Sequence, residues 1–172
     1  MTRFERCTNE ARQIVKAAVA EAGARGDSRI ESEHLLIALA GAPLPFSRTL
    51  LGPLDVGPSV IGDQLDRMDS ESLATVGFDP DLLHPSLRGA RSAGRSKSGR
   101  HIPFTHGAKA VLEGALRAAI RRGDRHIGAE HVLLSLLSVP PDDPVARVLV
   151  YLEVDPAKIR ADVEAALARR VA

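Results

Sequence analysis

Residues 7–40 and 104–137 align with one another at a constant offset of 97, with 12 identities in 34 pairs. Thr8/Thr105, Ala11/Ala108, Ala18/Ala115, Gly26-Asp27/Gly123-Asp124, Ile30/Ile127 and Glu33-His34/Glu130-His131 are among them. The match resumes at offset 98, where LDVGPSVI (54–61) faces LEVDPAKI (152–159), with a small insertion in the intervening loop. Such a duplication restricts the fold more than any other property of the chain. Both copies must form the same unit, and a unit this small leaves an apolar face exposed when alone. The two copies are therefore expected to pack together as one domain.

The periodicity of each copy is helical. Ala11, Ile14, Val15, Ala18, Val19 and Ala22 follow the i, i+3, i+4, i+7 spacing that puts apolar side chains on one helix face. Ala108, Val111, Leu112, Ala115, Leu116 and Ala119 repeat it. Thr8 and Thr105 stand where an N-cap would accept from the otherwise unpaired first N–H groups, and Gly23, Gly26 and Gly123 mark the exits. The Glu-His segments open a second, shorter helix, apolar on more than one face and hence central. A third helix fits 46–54 and 145–152. A fourth begins at GPSVIGDQL and at DPAKIRADV, where Asp155 caps and Pro156 takes the first helical position. No strand-like alternation occurs. The expected fold is all-α: two tandem four-helix repeats packed as one pseudo-twofold domain, with repeat one at 1–68, a linker at 69–101 and repeat two at 102–172.

Composition narrows the function. The 44% hydrophobic content supports a core, built without tryptophan and with only four Phe and one Tyr. One cysteine, Cys7, forms no internal disulfide and suggests a reducing compartment. There is no apolar run long enough to span a bilayer and no signal-like apolar core at the N-terminus, so the expected location is cytoplasmic, with no membrane partner. The linker portion RGARSAGRSKSGR (88–100) carries five basic residues and no acid, which leaves the remainder at a net charge of −4. Without interleaved aromatics or a recognition helix this strip reads as a solvated spacer rather than a nucleic-acid contact.

FERCTNEARQIVKAAVAEA…IESEHLLIALA and IPFTHGAKAVLEGALRAAI…HIGAEHVLLSLL resemble the Clp N-terminal repeat domain, which heads the ClpA/ClpC-type unfoldase subunits of bacterial proteases. The likeness lies in the Phe-x-x-x-Thr or Phe-Thr start, the Gly-Asp turn and Glu-His-Leu-Leu after an isoleucine, in two copies in register. It covers nearly the whole chain apart from the linker. Full-length members continue into ATPase modules, but no glycine here is followed by Lys-Ser or Lys-Thr, so these residues hold no phosphate-cradling loop. The resemblance implies a non-enzymatic binding module without cofactor, recognising client or adaptor proteins. It further implies a possible hold on the Clp unfoldase or on Clp-targeting cyclic peptides. The alternative is the substrate-receiving fragment of an ATP-dependent Clp protease subunit.

Clp N domains of the ClpC type recognise phosphoarginine. By position, Glu33 and Glu130 would take the guanidinium, and Thr8 and Thr105, with the N–H groups that follow them, the phosphate. The structural alternative is that a glutamate in a first helical turn simply complements the helix dipole. His34 and His131 read as packed helix residues, since adjacent Glu-His does not give the spacing of a metal site. Cys7 replaces the second family Phe (compare Phe104) and reads as a small core residue, with nothing beside it to activate a thiolate. Repeat one has Glu31 where repeat two has Gly128. This extra acid would repel phosphate, so repeat two is expected to hold the better site. No catalytic residue and no metal ligand is assigned.

Overall fold

The computed structural model describes residues 7–43, 57–75 and 102–171. Seven helices occur among them: α1 (Asn9–Arg25), α2 (Ser32–Gly41), α3 (Pro58–Thr75), α4 (His106–Arg122), α5 (Ala129–Leu136), α6 (Pro144–Tyr151) and α7 (Pro156–Val171). No strand forms among the described residues, and the fold is all-α. The expected helix at 46–54 lies outside the described residues, as does most of the basic linker. α3 runs on to Thr75, so the boundary placed between 68 and 69 falls inside a helix. Its apolar positions Ile61, Leu65 and Met68 are buried.

Local chemistry sets the ends. Thr8 Oγ1 accepts from Ala11 N at 3.2 Å and Thr105 Oγ1 from Ala108 N at 3.3 Å, capping α1 and α4. Gly26 and Gly123 close the same helices with φ of 77° and 75°, a left-handed conformation that costs a side-chain-bearing residue about 1–2 kcal/mol. Asp155 Oδ1 accepts from Ala157 N at 2.8 Å, with Pro156 at the first position of α7.

The two copies are joined by a reciprocal exchange. Cys7 pairs with Ile127 in a short parallel bridge, and Phe104, the counterpart of Cys7, pairs with Ile30, the counterpart of Ile127. Thr8 N–H donates to Ile127 O at 2.9 Å and Thr105 N–H to Ile30 O at 2.9 Å. Contacts in which i meets j and the equivalent of j meets the equivalent of i are the signature of a twofold relation. Helix packing obeys the same rule: α1 touches α5 as α4 touches α2, and α2 meets α5 directly at the centre. Leu35, Leu36 and Leu39 of α2 and Val132, Leu133 and Leu136 of α5 are almost wholly buried there.

The buried face of α1 is narrower than its apolar stripe. Ala11, Ile14, Ala18 and Ala22 are buried, whereas Val15 is half-buried and Val19 is 37% exposed. On α4 the core takes Ala108, Val111, Ala115 and Ala119, while Leu112 and Leu116 are only partly covered. The helices carry more apolar surface than the core consumes.

Candidate functional site: an apolar groove and two unlike carboxylates

That surplus lines a groove between α1 and α4, on the line where the repeats meet. Val15, Leu112 and Leu116 form its walls together with Cys7 and Phe104, and Lys109 and Glu113 supply its charged edge, enclosing about 390 Å³. Cys7 packs against the core but is only half-buried, and its uncovered side belongs to this groove. Burial pushes its thiol up from the ordinary value despite the opposing charge of Arg12, so it is no activated thiolate. A cysteine at the place of Phe104 leaves this end of the groove open.

The histidines have a structural role. Glu31 N–H donates to His34 Nδ1 at 3.0 Å, and Gly128 N–H donates to His131 Nδ1 at 3.0 Å. A ring that accepts at Nδ1 must donate at Nε2, and the acceptors are Asp27 Oδ2 and Asp124 Oδ2, each at 3.0 Å. Both rings are 1% exposed. Each histidine thus stands at the third helical position, caps its own helix start and ties it to the preceding Gly-Asp turn. The sequence holds the signal for this link, because both dipeptides recur seven residues apart in each copy.

The two glutamates differ. Glu130 folds back over Gly128, so closely that a Cβ there would fall on the carboxylate. Its Oε1 lies 3.4 Å from His131 Nδ1. Repeat one has Glu31 at the place of Gly128, and a side-chain-bearing residue closes that refuge. Glu33 turns instead into a cavity of about 260 Å³ whose lining includes Arg25, Asp27, Glu31, Asp69 and Arg147. Its Oε2 is buried without a hydrogen-bond partner. Burial pushes the Glu33 carboxyl up to about 7; the nearby charges of Glu31 and Asp143 add to this, while its own backbone N–H and His34 oppose it.

Asp143 was not legible as a site residue, and no acid occupies the corresponding stretch of repeat one, APLPFSR (42–48). It caps α6, with Oδ1 accepting from Val145 N at 2.9 Å and from the Ser32 hydroxyl at 2.7 Å. Its Oδ2 lies 3.5 Å from where a Cβ would stand on Gly107. Ser32 is in the first turn of α2 and Gly107 in the first turn of α4, so three helix starts converge on one carboxylate.

The threonines and glutamates assigned by resemblance come together across the repeats rather than within them. Thr105 bonds to Ile30, three residues before Glu33, and Thr8 bonds to Ile127, three residues before Glu130. Neither threonine lines the Glu33 cavity. Among the described residues no group of three His, Cys, Asp or Glu side chains is placed to hold a metal ion, and no helix is long and apolar enough to cross a membrane.

Comparison with known proteins agrees with this architecture. The Clp repeat (R) N-terminal domain matches residues 63–149, just over half of the chain. The chain belongs to the Clp N-terminal repeat family. A ClpA homologue of Porphyra purpurea, an ATP-binding subunit of an ATP-dependent Clp protease, is 28% identical over 160 residues, covering 93% of this chain. The chain spans only 17% of that relative's length. An uncharacterized protein of Mycobacterium bovis is 31% identical over 167 residues, with 96% of this chain and 55% of that protein covered. The crystal structure of the N-terminal domain of ClpD from Arabidopsis thaliana has a TM-score of 0.63 at 19% identity, covering 95% of this chain and 99% of that one. At that identity the likeness is one of Clp N fold.

Proposed function

We propose that the chain is a non-enzymatic docking module of the Clp system that takes segments of client or adaptor polypeptides into the groove between α1 and α4. The observation that carries this reading is the unused apolar surface of Val15, Leu112 and Leu116, open beside Phe104 and edged by Lys109 and Glu113. An apolar trough with a few charges at its edge suits a peptide that brings two or three apolar side chains. It suits a Clp-targeting cyclic peptide for the same reason. The relatives named ClpA and ClpD place such domains in Clp subunits. Acting by itself or at the head of a longer subunit, the module would use the same groove.

Phosphoarginine is the finer reading for the polar edge of the domain. The pair Thr8 and Glu130 supports it better than Thr105 and Glu33. Beside Thr105 the α4 start already faces the Asp143 carboxylate, and repeat one has no acid in the stretch corresponding to Asp143.

The test of the groove is binding of fluorescein-labelled β-casein, followed by anisotropy, to the parent and to Leu116→Asp and Val15→Asp. Both positions are only partly buried, so the variants should fold, which circular dichroism checks. A charge placed in the trough should weaken binding by about tenfold. Folded variants that bind casein as the parent does would remove the groove from the mechanism.

A further inference from the structure

We propose that a second cleft, on the outer face of repeat two, binds an extended segment of a partner polypeptide that carries a basic residue at one end and an acidic residue at the other. This goes beyond the groove reading and shares no lining residue with the groove or with the Glu33 cavity. The cleft lies between α4, the end of α5 and the loop that follows it, and encloses about 500 Å³. Gly107, Ala110, Gly114 and Ala118 succeed one another on one face of α4, and such small side chains let another backbone lie close. From Gly107 to Arg121 the helix rises by about 21 Å, which an extended chain covers in about six residues.

Charge divides the cleft into two ends. Asp142 and Asp143 line one end, with Asp143 Oδ2 3.5 Å from where a Cβ would stand on Gly107. Arg117 and Arg121, one helical turn apart, line the other. The arginine ion pairs among the described residues fall on Arg25 and Arg122, not on these two. Two neighbouring guanidiniums offer parallel N–H groups to a carboxylate, while the acids at the opposite end attract an ammonium. Both ends reach solvent, so each ion pair contributes modestly, and the ligand gains most when it spans them.

Between the ends stands Ser135, 9% exposed. A Cβ on Gly114 would fall on its hydroxyl, which accounts for a glycine that costs α4 about 1 kcal/mol relative to alanine. Ser138, three residues on, donates its hydroxyl to Leu134 O at 2.7 Å, whereas the Ser135 hydroxyl has no hydrogen bond among the described residues. A nearly buried hydroxyl without a partner, set in the wall of a cleft, suits the backbone of a passing chain. Repeat one has none of these groups. At the offset of 97, Gly107, Gly114, Arg117, Arg121 and Ser135 correspond to Glu10, Ala17, Ala20, Ala24 and Ala38. The same frame folds without them, so their gathering along one cleft answers to a ligand and not to the fold.

The test is a titration of 15N-labelled protein with the peptide N-acetyl-Lys-Ala-Thr-Ala-Thr-Glu amide, whose backbone ends are uncharged. The amide signals of Gly114 and Ser135 should move with it. A peptide with glutamine at both ends, and the short N-acetyl-Lys-Ala-Glu amide that cannot span the cleft, should each require about tenfold more. Replacing both arginines (Arg117→Gln with Arg121→Gln) should weaken the response to the first peptide about tenfold. Both side chains are exposed, so the fold should be kept, which circular dichroism checks. Ser135→Ala should weaken it about threefold, the worth of one neutral hydrogen bond. The groove variant Leu116→Asp should bind the peptide as the parent does, whatever becomes of its casein binding. Signals at Gly114 and Ser135 that stay still, or an equal response to all three peptides, would overturn the proposal. So would binding that survives the loss of both arginines, or that disappears in Leu116→Asp.

Discussion

Replacing Glu33 by glutamine should remove a pH dependence of folding that the structure assigns to this one carboxyl. In the unfolded chain the group titrates at 4.5 and in the folded protein at about 7. The folded state therefore holds the proton more tightly, and folding takes one up at pH values between these two. Stability from this group is fully present below pH 4.5, falls as pH rises, and is lost once pH passes about 7. The ionised group costs on the order of 3 kcal/mol at pH 8 and under about 1 kcal/mol at pH 5. Glutamine does not titrate, so the parent should lose about 2–3 kcal/mol more than the variant across that interval. The comparison rests on the difference between two slopes, because the constant cost of seating an amide at this position cancels. With no tryptophan in the chain, urea unfolding is followed by circular dichroism, at matched pH values for both proteins. Stability profiles that stay parallel within about 0.5 kcal/mol would show that Glu33 is ionised at no unusual cost, and the burial argument would fail.

Three further substitutions test the frame. Thr105→Ala removes both a cap and the 3.2 Å bond from its hydroxyl to Ile30 O, whereas for Thr8→Ala the side-chain bond to lose is the cap. The first should cost about 2 kcal/mol and the second about 1 kcal/mol in urea unfolding, and equal costs would deny that the inter-repeat bond contributes. His131→Ala strips a partner from both Gly128 N–H and Asp124 in a site 1% exposed to solvent, and should cost about 3 kcal/mol. A loss below about 1 kcal/mol, read the same way, would mean that the Gly-Asp turn holds without the ring.

Much of the frame was legible because it depends on local chemistry that the duplication displays twice. Thr8, Thr105, Gly26 and Gly123 each act through their own helix end, and Asp155-Pro156 opens α7 as its order implies. The helical stripes were legible too, but not how much of each stripe the core would use. Whether Val15 or Leu116 is covered depends on the angle at which α1 and α4 approach, and spacing along one helix does not encode that angle. Asp143 escaped for a different reason. It meets Ser32 and Gly107 across sequence separations of 111 and 36 residues, and its importance lies in where three helix starts converge. The absence of an acid from the matching stretch of repeat one was visible, but became meaningful only with that convergence.

The two Glu-His copies show how one residue can separate the fates of duplicated sites. The histidine, its aspartate and both bonds are the same in each, so the local frame is held constant. The difference lies at the residue before the helix. Gly128 has no side chain, and Glu130 folds over it; Glu31 has one, and Glu33 turns into the cavity between α2, α3 and α6. A carboxylate that settles on its own helix start is stabilised there by the helix dipole. One that is buried, short of a donor and faced by two more acids costs the protein stability above pH 7. Glu31→Gly should therefore let Glu33 fold back as Glu130 does and flatten the pH dependence of stability in urea unfolding. Retention of the pH dependence in a folded variant would show that something other than the lost side chain drives Glu33 into the cavity.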